Sequence, residues 1–158
     1  TLWIDAQSHH ALWAHVGDSR LYMLRSGEVQ QLTHDDSAVQ QMVDAGLITP
    51  EQGRRHPNKN QLIAALGSDD SIDTHTSAQP MPLRAGDAFL LCSDGWWDAL
   101  ESQDLTQTLG QSADVNQWLD LMATLVRARA VQNQDNFSAI GVWIRDPERV
   151  ERSEPPKG

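Results

Sequence analysis

The chain has 158 residues and a formal net charge of −10, a length that suits one domain with a sizeable hydrophobic core. The negative charge argues against a nucleic-acid-binding surface. No run of about 18 apolar residues occurs, so no membrane span is predicted. The single cysteine excludes an internal disulfide bond and fits a reducing compartment, and we expect a cytoplasmic location.

The first 32 residues contain short apolar runs separated by turn-like stretches. The runs cover residues 2–4, 11–16, 21–24 and 29–32. A spacing of about ten residues for each strand and its turn predicts an antiparallel meander. Thr1 is not preceded by a methionine and leads directly into a strand pattern, so we expect that an N-terminal part of the protein is missing from this sequence.

Residues 33–68 differ in character and are predicted to leave the sheet and form a flap over one of its ends. Ser37 can cap a helix that ends near Gly46. A second helix is predicted to begin after Thr49. Proline is favoured at the first position of a helix, and Pro50 would occupy that position.

The remaining residues predict an α+β fold with a largely antiparallel sheet. The predicted elements are an exposed strand at 71–81, a buried strand at 88–91, helices at 96–100, from 101 onward and at 115–130, and a last strand at 137–144. Residues 146–158 contain two adjacent prolines and no hydrophobic periodicity, which predicts a disordered tail.

Three aspartates lie where apolar strands begin or end, each beside a glycine or an asparagine: Asp18, Asp94 and Asp135. If these strands are neighbours, the carboxylates converge at one rim of the sheet. Ionised carboxylates repel one another at short distance unless a cation lies between them. Oxygen ligands favour Mg²⁺ or Mn²⁺ over zinc. The spacing therefore suggests a metal site, and the alternative is that Asp94 simply caps the next helix.

Other side chains of this region allow different hypotheses. Cys92 could be a nucleophile, but it follows four apolar residues and lacks a phosphate-binding Cys-x₅-Arg loop, which favours a buried thiol. Ser19 in Gly-Asp-Ser could belong to a serine hydrolase, although no histidine has an aspartate three residues before it. Trp96 and Trp97 are interpreted as packing residues.

Six segments, taken together, resemble the motifs of the metal-dependent Ser/Thr phosphatases of the PP2C (PPM) family, and the similarity is strongest to small bacterial members. In chain order they are Ala14-His15-Val16-Gly17-Asp18-Ser19-Arg20-Leu21-Tyr22, Gln31-Leu32-Thr33-His34-Asp35-Asp36-Ser37, His56-Pro57, Leu66-Gly67, Leu90-Leu91-Cys92-Ser93-Asp94-Gly95 and Asp135-Asn136-Phe137-Ser138.

The resemblance implies an αββα sandwich of two antiparallel sheets flanked by helices, with a phosphatase domain at residues 1–145. It also implies two Mn²⁺ or Mg²⁺ ions that activate a water for attack on phosphoserine or phosphothreonine. Asp94 and Asp135 match ligands of one ion and act in catalysis through that water, whereas Asp18 and Asp94 match ligands of a third ion. The partners implied are phosphoproteins that a bacterial Ser/Thr kinase modifies.

Two departures from the family pattern qualify these expectations. The family's upstream motifs, which include the bridging aspartate and a phosphate-binding arginine, do not occur in the sequence. Asp36 replaces a histidine that is usual in relatives, which puts substrate handling near the flap in doubt. The alternative function is a non-catalytic PP2C-like regulatory or interaction module.

Overall fold

The computed structural model describes residues 1–65, 67, 74–130 and 135–145, and it contains two antiparallel sheets. The strands of the first sheet are β1 (Leu2–Asp5), β2 (His10–His15), β5 (His75–Thr76) and β6 (Met81–Pro82). The strands of the second sheet are β3 (Arg20–Arg25), β4 (Glu28–Gln31), β7 (Ala88–Cys92) and β8 (Ala139–Trp143). In the first sheet β2 pairs with the other three strands, and the second sheet has the order β4-β3-β7-β8.

The prediction of one meander is wrong, because β2 and β3 belong to different sheets. Gly17 lies between them with φ +94°, a left-handed conformation that glycine adopts without steric cost, and the turn carries the chain from one sheet to the other. The sequence predicted one strand over residues 71–81. From residue 74, where the description of the chain resumes, the structure has two short strands there instead, β5 and β6. Proline cannot donate to a strand ladder, and Pro80 and Pro82 therefore limit the pairing there.

Two hydrophobic clusters hold the layers together. The first lies between the sheets, which therefore pack face to face, and its buried members are Leu21, Met23 and Phe89. The second lies between the outer face of the second sheet and the helices α4 (Ser102–Gly110) and α5 (Val115–Ala128). The α+β sandwich expected from the sequence is confirmed.

Helix α5 lies where the amphipathic pattern of the sequence predicts a helix. Trp118, Met122 and Val126 recur at intervals of four residues, which places them on one face of a helix. All three are fully buried in the structure. The helix ends two residues earlier than predicted, at Ala128.

The region predicted to form a flap contains the helices α1 (Ala38–Asp44) and α2 (Pro50–Arg54). Ser37 caps α1 as predicted, since its hydroxyl accepts a hydrogen bond from the backbone N–H of Gln40. Residues 66 and 68, at the end of this region, lie outside the described residues, as does the predicted tail at 146–158. In the part of the chain that the structure describes, no helix has the length and apolar character needed to cross a membrane.

Candidate metal site

The first candidate ligand, Asp18, lies in the turn between β2 and β3 and is half-buried. The indole Nε1 of Trp97 donates a hydrogen bond of 2.9 Å to the backbone oxygen of Asp18. This bond joins the turn to helix α3 (Asp94–Trp97), which carries the second candidate ligand. The β2–β3 turn and the start of α3 are therefore neighbours in space.

The electrostatics of Asp18 reflect the negative charges around it. Burial raises the pKa of Asp18, and the negative charges of Asp94 and Asp35 raise the same pKa further. Asp94 begins α3, and Ser93 occupies the N-cap position before it. The hypothesis that Asp94 caps the helix is thus wrong, as is the predicted helix start at Trp96.

The third candidate ligand, Asp135, lies in the segment 135–138 before β8, and backbone contacts hold that segment against Ser93 and Gly95. The Ser93 N–H donates to the Ser138 oxygen at 3.0 Å, and the Ser138 N–H donates to Ser93 Oγ at 3.1 Å. A Cβ atom on Gly95 would lie only 2.6 Å from the backbone oxygen of Asn136. The absence of a side chain on Gly95 therefore allows the two segments to meet.

The three aspartates share one rim, but their carboxylates do not form a closed set of ligands. Among the described residues, no group of three or more His, Cys, Asp or Glu side chains is arranged to hold a metal ion. Asp94 Oδ1 accepts the N–H of Gly95 at 2.8 Å, and Asp135 Oδ1 accepts the N–H of Asn136 at 2.8 Å. The carboxylate oxygens suit a hard cation in their chemistry, and the negative charge of Asp94 acts on Asp18.

Sequence reasoning missed a second group of residues that holds the β2–β3 turn. Arg20 binds both carboxylate oxygens of Asp35, with its Nη2 2.7 Å from Oδ2 and its Nε 3.0 Å from Oδ1. The Arg20 guanidinium also stacks on the Trp97 ring at 3.6 Å from the ring centroid. Asp35 is buried. The sequence carries no signal that separates such a buried carboxylate from a solvated one.

Asp36 is buried as well. The sequence predicts that Asp36 lies near the flap, and it indicates no specific partner for the side chain. In the structure its Oδ2 accepts the N–H of Gly17 at 2.8 Å, and its Oδ1 lies 2.7 Å from Nε2 of His75. Asp36 therefore contacts the turn that carries Asp18.

The structure confirms that Cys92 is a core thiol. Its side chain is buried in the second hydrophobic cluster, and burial raises the pKa of Cys92 to about 12. A thiol with so high a pKa is protonated at neutral pH and is a poor nucleophile. Trp96 is buried in the same cluster, as its interpretation as a packing residue requires.

A groove of about 920 Å³ lies beside the rim, between helix α2 and the start of α4. Its lining combines partly exposed apolar residues such as Val29 and Leu100 with Arg54 and Arg55 of the flap region. An ion pair between Lys59 and Asp98 joins the flap region to the end of α3.

Comparisons with curated proteins and solved structures find bacterial Ser/Thr phosphatases. No protein-family model matches the sequence. The serine/threonine protein phosphatase PstP of Mycobacterium tuberculosis is 43% identical over 95 residues, which are 60% of this chain and 18% of PstP. The protein phosphatase PhpP of Streptococcus pneumoniae is 34% identical over 139 residues, which are 87% of this chain and 54% of PhpP.

Solved structures that superpose on this chain are also Ser/Thr phosphatases. A serine/threonine phosphatase of S. agalactiae superposes with a TM-score of 0.76 and 29% identity, over 87% of this chain and 55% of that protein. The catalytic domain of PstP in complex with two manganese ions has a TM-score of 0.65 and 30% identity, over 84% of this chain and 52% of that domain. The chain thus spans about half the length of most of these proteins, and less of PstP as a whole.

Proposed function

We propose that this chain, whose homologues and structural neighbours are bacterial Ser/Thr phosphatases of the PP2C type, provides metal ligands for the hydrolysis of phosphoserine and phosphothreonine in proteins. The ligands are Asp94 and Asp135 for one ion of a binuclear centre, and Asp18 with Asp94 for a third. Asp94 and Asp135 act in catalysis through the water that such ions activate.

One observation carries the proposal: three strand ends that are distant in sequence bring their aspartates to one rim. The charge of Asp94 raises the pKa of Asp18, so the two carboxylates repel each other in the absence of a cation. Gly95 lies against the backbone of Asp135 and Asn136. An arrangement that costs electrostatic free energy without a cation is one that a bound cation stabilises.

Bound Mn²⁺ or Mg²⁺ supplies Lewis-acid chemistry, lowering the pKa of water and neutralising phosphoryl oxygens. The residues of this chain fix where that chemistry takes place. The 2.9 Å bond from Trp97 to the Asp18 oxygen holds the β2–β3 turn against α3. The paired bonds between Ser93 and Ser138 hold Asp135 near Asp94. No cysteine nucleophile is required, in agreement with the buried thiol of Cys92.

The groove beside the rim supports a protein substrate. Its apolar lining can accept a side chain that flanks the phosphorylated residue, and Arg54 can meet acidic positions further along the peptide. The substrates proposed are phosphoproteins produced by a bacterial Ser/Thr kinase.

Replacement of single ligands tests the proposal. In the complete protein, Asp94→Asn or Asp135→Asn is expected to reduce Mn²⁺-dependent hydrolysis of a phosphothreonine peptide by more than about 100-fold. Replacing a residue that only orients a metal ligand typically costs about 10–100-fold, so a larger loss indicates a ligand. Circular dichroism should show an unchanged fold. The matched control is Asp120→Asn, which removes one exposed carboxylate on α5, away from the rim, and should keep the parent rate.

The alternative is a non-catalytic module that keeps the fold. Hydrolysis near the parent rate in either ligand variant would contradict the metal-site assignment. A parent protein that binds Mn²⁺ poorly and has no hydrolytic activity would instead support the module.

A further inference from the structure

The turn that carries Asp18 is held by one residue on its N-terminal side. Asp36 makes two hydrogen bonds to Gly17: its Oδ2 accepts the Gly17 N–H at 2.8 Å, and its own N–H donates to the Gly17 oxygen at 2.8 Å. Two bonds to the same residue fix the position and the orientation of its backbone. Since Asp18 follows directly, these bonds also set the direction in which the chain leaves Gly17.

All four polar groups of Asp36 have partners. Besides its two bonds to Gly17, its backbone oxygen accepts the N–H of Ile63 at 2.9 Å, and its Oδ1 lies 2.7 Å from Nε2 of His75 on β5. Only 7% of Asp36 is exposed, and a buried carboxylate is costly unless it is hydrogen-bonded. Asp36 is therefore a structural connection between the flap region, the first sheet and the turn.

Asp35, the preceding residue, holds the other side of the same turn. Its carboxylate binds Arg20, and Arg20 stacks on Trp97, whose Nε1 donates to the Asp18 oxygen. Two consecutive carboxylates thus hold positions 17 and 20 on either side of Asp18. These contacts fix the backbone on both sides of Asp18.

We propose that Asp36 and His75 are positioning residues, which hold the Gly17–Asp18 turn in the conformation that presents the Asp18 carboxylate to an ion. The inference rests on the proposed function, in which Asp18 is a ligand. Both carboxylate oxygens of Asp36 bind protein groups, Gly17 and His75, and we therefore assign Asp36 a positioning role. Residues that orient a ligand typically change metal affinity by 10–100-fold when they are replaced.

The experiment measures Mn²⁺ binding to the metal-free complete protein by isothermal titration calorimetry, which does not depend on activity. Asp36→Ala removes both side-chain bonds and is expected to weaken the weakest Mn²⁺ step about 10–100-fold. Asp36→Asn keeps an acceptor for the Gly17 N–H and an N–H for His75, and we expect it to restore affinity to within about threefold of the parent. Melting temperatures are recorded for each variant.

The chain offers a matched control in Asp44, which forms a second Asp–His pair, 3.1 Å from His34. That pair is exposed and joins α1 to the segment before it. The His34 ring lies 6.3 Å from the His75 ring, and among the described residues neither His34 nor Asp44 has a hydrogen bond to the Gly17–Asp18 turn. Asp44→Ala should therefore leave every Mn²⁺ step unchanged. If Asp36→Ala does not fold, the positioning role is tested with His75→Gln instead. His75 is half-exposed, so this variant should fold, and it removes one bond to Asp36. We expect a smaller decrease in Mn²⁺ affinity, of about threefold to tenfold.

Asp18→Asn separates failure of this inference from failure of the proposed function. If Asp18→Asn weakens Mn²⁺ binding but a folded Asp36→Ala, or His75→Gln in its place, binds like the parent, the positioning role is wrong. If Asp18→Asn itself leaves binding unchanged, Asp18 is not a ligand and the proposed metal site must be revised. Equal losses in Asp36→Ala and Asp36→Asn would overturn the role assigned to the Gly17 bond.

Discussion

The core under the helices and the carboxylate rim are built on the same strands, yet they are stabilised in opposite ways. The core, formed by Trp118, Met122 and Val126 of α5 with Leu90 of β7, is fully buried and apolar. The rim, formed by Asp18, Asp94 and Asp135 at the strand ends, is partly exposed and negatively charged. The core is favourable because its apolar side chains exclude water, whereas the rim gathers like charges whose repulsion the proposed cation would offset.

The core and the rim differ in how much each depends on the direction of its contacts. A hydrophobic contact is non-directional, so each apolar residue stabilises the core in proportion to the area that it buries. The rim depends on single directed contacts, such as the hydrogen bonds of Asp36 to Gly17 and of Trp97 to Asp18. Substitutions in the core should therefore change stability first, and substitutions at the rim should change metal binding first.

The largest effect is expected for Trp118→Ala in the core. Loss of a fully buried indole should reduce the free energy of unfolding by about 3–5 kcal/mol. The two hydrogen bonds of its Nε1, to the Leu105 oxygen and to Thr108 Oγ1, are lost as well. Urea denaturation measures the change. Trp3→Ala is the control, because Trp3 is 54% exposed and its loss should cost less than about 1 kcal/mol.

An intermediate effect is expected for Gly95→Ala, which tests the close approach at the rim. The added Cβ would lie 2.6 Å from the Asn136 oxygen and 3.0 Å from the Asp135 oxygen, so the backbone must move apart. We expect a destabilisation of about 1–3 kcal/mol and a loss of Mn²⁺ affinity. Gly110→Ala on α4 is the control, since no atom lies within 4 Å of its added Cβ. Equal melting temperatures and equal Mn²⁺ affinities for the two variants would contradict the contact.

The smallest effect, and one of opposite sign, is expected for Asp18→Asn in the presence of a chelator. The pKa of Asp18 is raised in the folded protein, so its ionised form destabilises the fold at neutral pH. Removal of the charge should stabilise the metal-free protein by roughly 0.5 kcal/mol, a small value because the side chain is half-exposed.

The pH dependence of this gain follows from the direction of the shift. Below the ordinary carboxyl pKa of about 4, Asp18 is protonated in the folded and the unfolded chain, and the variant has no advantage. The gain grows as the pH rises through the raised pKa and is constant above it. Thermal melts between pH 3 and pH 8 measure it. A destabilised variant at pH 7, with Asp120→Asn unchanged, would show that the repulsion at the rim is negligible.

The sequence predicted those elements whose signal lies in a short window. The hydrophobic period of α5, the cap of α1 at Ser37 and the proline start of α2 all occur in the structure. The meander was wrong, because a run of alternating residues specifies a strand but not the sheet to which it belongs. The start of α3 was misplaced by two residues, since the sequence does not show that Ser93 and not Asp94 is the N-cap.

The sequence by itself determined the α+β class, the apolar face of α5 and the three aspartates at strand ends, because periodicity and residue type are local properties. Only the tertiary structure decided that the charge of Asp94 acts on Asp18, that Gly95 lies against the segment of Asp135, and that Asp35 and Asp36 hold the turn between the sheets. These contacts join residues that are far apart in the chain. Their geometry depends on how the two sheets pack, which no short segment of sequence specifies.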